Sequence, residues 1–97
     1  MNHVEQRLRD RFNITGVSRL KLRALSKHFG DLVVEDTNKD GEQLEIYRLD
    51  LEGKTVYPLL VNGHVKTVYW SSYVECYVRR AFKYNKKKMV KLLKKMR

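Results

Sequence analysis

Cysteine, proline and tryptophan each occur only once in the 97 residues, as Cys76, Pro58 and Trp70. A single cysteine rules out an internal disulfide, so a reducing compartment and a cytoplasmic location are expected. Long apolar runs are also missing. None approaches the roughly 20 residues of a membrane span, and the N-terminal residues, with Glu5 and Asp10 among arginines, lack the apolar core of a secretory signal. No plausible metal cluster of Cys, His, Asp and Glu is visible, and no metal or other cofactor is expected. Acid is absent from the last 21 residues, Tyr77 to Arg97, which hold ten Lys or Arg.

The remaining residues, 1–76, carry eleven cations and eleven acids, so the net charge of +10 equals that of the tail. A neutral body, 1–76, and a basic helix, 77–97, continuous with it within a single domain, are therefore expected. A chain this short buries only roughly 60 to 65% of its unfolded surface, and a homodimer or a bound partner is compatible with that margin.

Hydrophobic spacing gives the elements. Val4, Leu8 and Phe12 form the stripe of a first helix, opened by an Asn2 and Glu5 capping pair and ending near Asn13. Ser18 caps a second helix over 19–29, with Val17 and Leu22 as a hydrophobic staple and Gly30 as its stop. From Asp31 the pattern becomes β-branched and aromatic between turn signals. The runs DLVVED, QLEIYRLDL, KTVYPLLV and HVKTVYW read as a four-stranded antiparallel meander, and the whole as an α+β fold.

Asn62-Gly63 suits a two-residue hairpin, because both residues tolerate positive φ. It pairs Val61 with His64, Leu60 with Val65, Leu59 with Lys66, Pro58 with Thr67 and Tyr57 with Val68; Glu52-Gly53 pairs Leu51 with Lys54 and Leu49 with Val56. Two faces separate. Tyr47, Leu49, Leu51, Val56, Pro58, Leu60, Val65 and Tyr69 should pack on the helices. Leu44, Ile46, Arg48, Tyr57, Leu59, Val61, His64, Lys66 and Trp70 form a mixed basic and aromatic face. Pro58 has no N–H, so the ladder should lapse near Tyr47.

Beyond Trp70, Ser71 or Ser72 can cap a last helix with Val74, Val78, Phe82, Met89, Leu92, Leu93 and Met96 on one stripe, although Asn85 falls inside it. A continuous helix over 72–96 measures about 37 Å, so its second half is expected to project. Arg79, Lys83, Lys86, Lys87, Lys91 and Lys94 lie opposite the stripe, and Arg80 and Lys95 add to the charge. Such a helix suits a nucleic-acid backbone, an acidic protein groove or an acidic membrane; the aromatic-free distal stripe disfavours the membrane.

Other motifs have plainer readings. Arg19, Arg23 and Lys27 make a second basic row on a segment resembling a helix-turn-helix, for which an ordinary helical hairpin is the alternative. Asp36-Thr37-Asn38-Lys39-Asp40-Gly41 resembles the first half of an EF-hand loop. Tyr47 stands where the bidentate Glu belongs, so a simple turn is expected. The two helices and the run YRLDLEGKTVYPLLVNGHVKTVYW resemble the RelE-like small ribonuclease toxins, which implies RNA cleavage from one sheet face. On this face His64, Lys66 and Arg48 are the candidate catalytic groups.

The leading expectation is a small nucleic-acid-binding protein, RNA favoured, of the kind carried by phages or mobile elements. Its binding residues are Arg79, Arg80, Lys83, Lys86, Lys87, Lys91, Lys94 and Lys95 on the tail and Arg48, Tyr57, Lys66 and Trp70 on the sheet. The alternatives are a metal-independent endoribonuclease and an inhibitor whose basic helix occupies an acidic protein partner.

Overall fold

A computed structural model describes residues 3–96. The chain runs α1 (His3–Phe12), α2 (Arg19–Phe29), β1 (Asp31–Thr37), β2 (Gln43–Leu51), β3 (Lys54–Val61), β4 (His64–Tyr69), α3 (Ser71–Ala81) and α4 (Lys86–Lys95). The strands form one antiparallel sheet in the order β1-β2-β3-β4, an α+β meander as expected. The Asn2 member of the first capping pair lies outside the described residues. Ser18 caps α2 by accepting a hydrogen bond from the Lys21 amide at 3.1 Å. Gly30 is its C-cap, with extended backbone, and glycine is needed there because a Cβ would stand 2.5 Å from the Ser26 carbonyl oxygen.

Both hairpin turns form where turn chemistry places them. Glu52 and Gly53, and Asn62 and Gly63, all have positive φ, and the pairs Leu51 with Lys54 and Val61 with His64 close the two turns. The Asn62 side chain also accepts from the Gln43 amide at 3.0 Å, tying this turn to the start of β2. The β2–β3 ladder has no pair at Tyr47 and Arg48, opposite Pro58 and Tyr57 respectively, and resumes at Leu49 and Val56 in the same register.

The β3–β4 register departs from expectation after Leu60. Leu60 pairs with Val65, but Leu59 pairs with Thr67, Pro58 with Val68 and Tyr57 with Tyr69. Lys66 is thus an extra residue on β4, and this bulge turns every later side chain to the other face. Val65 and Val68 now share a face, and Tyr69 leaves it.

Helices cover both faces of the sheet. On one, Val4, Leu8, Phe12 and Leu22 of α1 and α2 pack with Tyr47, Leu49, Val56, Leu60, Val65 and Val68. On the other, Val74, Val78 and Leu92 of α3 and α4 pack with Val33, Val34, Ile46 and Tyr57. The second layer corrects the projecting-helix expectation: the chain turns at Phe82 to Asn85 and α4 comes back onto β1. Asn85 starts α4 by accepting from the Lys88 amide at 3.2 Å, a cap that contributes about 1 kcal/mol. The driving force is the stripe itself. A straight helix would leave Met89, Leu92, Leu93 and Met96 in water, whereas burying a Leu or Met side chain yields about 1.5 to 3 kcal/mol.

Candidate nucleic-acid interface

With its apolar stripe spent on the sheet, α4 directs all its cations outward. Lys86, Lys87, Lys88, Lys91, Lys94 and Lys95 are exposed, as are Arg80 and Lys83 before them. Among the described residues none of these eight is ion-paired to an acidic side chain, while Arg79 is held by Glu75 at 3.0 Å. Lys87, Lys88, Lys91 and Lys95 line a groove of about 550 Å³ between α4 and the edge strand β1, floored by Leu32, Val33 and Leu92. Glu35 is its only acid among the described residues.

Tyr84 stands in the α3–α4 turn with 92% of its surface exposed. The Lys83 ammonium lies 4.9 Å from its ring centroid. An aromatic ring displayed this openly among cations suits stacking by an unpaired base. Sequence periodicity assigned it no role, because it lies off the apolar stripe; its signal was a Tyr-Asn step, with a helix cap following an aromatic residue.

The sheet residues of the expected mixed face do not form an open surface. Tyr57 is 1% exposed, in the second core beneath α3 and α4, so it cannot stack on a base. Burial raises its pKa, and the Arg48 guanidinium beside it works in the opposite direction. Tyr69 and Tyr77 are likewise raised, chiefly by burial. These phenols therefore stay protonated at neutral pH and are not available as general bases. Arg48 is half-buried, and its Nε is enclosed without a hydrogen-bond partner among the described residues.

Trp70 also leaves the expected face. It precedes α3, and its ring meets Phe12 at 6.4 Å and the Arg11 guanidinium at 4.5 Å, on the α1 side. His64 and Lys66 are exposed at the β3–β4 hairpin. Arg48 sits level with the Tyr57–Tyr69 pair, two strands across from His64 and about 13 Å along the sheet from it at roughly 3.3 Å per residue. The three candidate catalytic groups are not brought together.

Arginines outside the expected binding set, Arg19 of the second basic row among them, gather instead along β4. Arg11 donates to the Val68 carbonyl at 2.8 Å, Arg19 donates through Nε to the Val65 carbonyl at 2.8 Å, and Arg7 bonds the Thr67 hydroxyl. The carbonyls of an edge strand are the groups that invite another strand to pair, so these guanidiniums both close the edge and place charge on it.

The Asp36 to Gly41 segment is a turn. The Asn38 side chain accepts from the amides of Asp40 at 3.0 Å and Glu42 at 2.9 Å. No group of three or more His, Cys, Asp or Glu side chains is placed to hold a metal among the described residues. No described helix is long and apolar enough to cross a membrane. No family model matches the chain, and no curated protein or solved structure matches it either.

Proposed function

We propose that the chain is a nucleic-acid-binding protein that takes single-stranded RNA in preference to other nucleic acids on the outer surface of the α3–α4 hairpin. One observation carries the reading: α4 spends its apolar side on the core and presents six exposed lysines without an acidic partner among the described residues. Polyphosphate is the ligand that such a surface attracts, through release of condensed counterions. The same packing argues against a lipid surface, because Leu92 is buried and Met89, Leu93 and Met96 pack against that core, whereas an interfacial helix needs that side for the bilayer. Exposed Tyr84 supports unpaired bases, and so RNA loops or single strands, over a regular duplex.

The test is binding of RNA, single-stranded DNA and duplex DNA as a function of salt. Single-stranded RNA is expected to bind tightest, with a steep loss of affinity as salt rises. Tyr84→Ala is expected to weaken RNA binding by about 1 to 3 kcal/mol with little change in the salt slope, since stacking releases no counterions. Equal affinity of the Tyr84 variant would remove base stacking from this surface. Cleavage of the labelled RNA, lost on substituting His64, Lys66 or Arg48, would favour the ribonuclease reading instead.

A further inference from the structure

At the β3–β4 hairpin, on the edge of the sheet away from β1, two adjoining cavities open beside the start of α2. Their volumes are about 440 and 370 Å³, and they share Arg19, His64 and Val65. His3, Arg19, Arg23, His64 and Lys66 supply the charge, and among the described residues no acidic side chain lines either cavity. Val4 and Val65, both buried, and half-buried Val61 provide an apolar wall.

The cleft is built as well as charged. The Arg19 guanidinium is fixed by its Nε bond to the Val65 carbonyl, a bond that uses one of its five N–H donors. Lys66 is the bulged residue of β4, and the bulge is what gives its side chain a direction independent of the strand's alternation. Arg23 reaches toward the hairpin, where a Cβ on Gly63 would stand 3.7 Å from its terminal nitrogen. Guanidinium, ammonium and imidazole converging on a concave site with an apolar wall match a phosphodiester and its attached nucleoside.

We propose that this cleft is a second phosphodiester-binding site, so that one chain holds two nucleic-acid segments at once. The inference rests on the reading that the α4 surface binds nucleic acid. The two sites occupy opposite edges of the sheet, with outer strands about 14 Å apart at roughly 4.8 Å per strand. They also lie with helices on opposite faces, so a segment seated on one leaves the other open. A molecule of this kind tethers strands, as in annealing or compaction, and does not merely coat them.

The experiment is a stoichiometry measurement on the full chain with excess single-stranded RNA hexamer at low salt, read by sedimentation. Two hexamers per chain are expected. The Arg23→Glu, Lys66→Glu variant should bind one, and so should Lys87→Glu, Lys91→Glu; all four positions are exposed. Saturation at one hexamer by the unmodified chain would overturn the second site, whatever the variants do. Two hexamers on the Arg23 and Lys66 variant would also overturn it. No binding by the unmodified chain would refute the underlying function.

Discussion

Replacing Lys83, Lys86, Lys87, Lys91, Lys94 and Lys95 together by Gln is expected to lower the affinity of the α4 surface for RNA about a thousandfold or more at 50 mM salt. The six are exposed, and among the described residues none is ion-paired to an acidic side chain, so each is available to a phosphate. For single strands each phosphate contact contributes about 0.7 to the slope of log affinity against log salt, so losing six flattens the slope by up to about four units. Glutamine keeps helix propensity and most of the side-chain stem, and α4 still carries Leu92 into the core. Folding should therefore survive, which circular dichroism and melting would confirm. An unchanged slope in a folded variant would take the α4 surface out of the interface. Substitution isolates the charge, whereas deleting 86–97 would also remove Leu92 from the second core.

Tyr57→Ala is expected to unfold the chain or leave it barely stable. The ring is 1% exposed and sits with Ile46, Val74, Val78 and Leu92 between sheet and helices. Truncating a buried aromatic costs about 3 to 5 kcal/mol, against the roughly 5 to 15 kcal/mol that holds a domain folded. Tyr57→Phe should be much milder, since it keeps the buried ring and gives up a long hydroxyl bond, 3.4 Å, to the Met96 carbonyl and the contact with the Arg48 guanidinium. Urea denaturation separates the two variants. A Tyr57→Ala protein of normal stability that had lost RNA affinity would restore the open stacking face.

The sequence was most legible where chemistry is local. Ser18, Glu52-Gly53 and Asn62-Gly63 specify a helix start and two turns through their own backbone preferences, and the structure has each in place. It was least legible where a choice depends on partners distant in sequence. The Lys66 bulge left a trace: Val65 and Val68 are three apart, a spacing that strict alternation cannot put on one face, yet both are buried in one core. The fold-back of α4 left another, since Asn85 is both a poor stripe residue and a good cap. Neither trace says which surface needs covering. Once α1 and α2 occupy one face, Ile46, Tyr57 and Leu59 remain on the other, and the tail's stripe is the apolar surface available to bury them. Tyr57 is buried for that reason, whereas the exposure of the tail lysines depends only on the outer side of the helix and needed no such knowledge.

The lysine-rich α4 also closes the second core through Leu92. Mutual repulsion of its cations therefore pushes on an element the fold cannot do without. Added salt screens that repulsion and strengthens the folded state, while it weakens capture of a polyanion. If the proposed function holds, folding and binding respond to ionic strength with opposite signs, and a bound nucleic acid would act as the counterion that lets the helix rest in place.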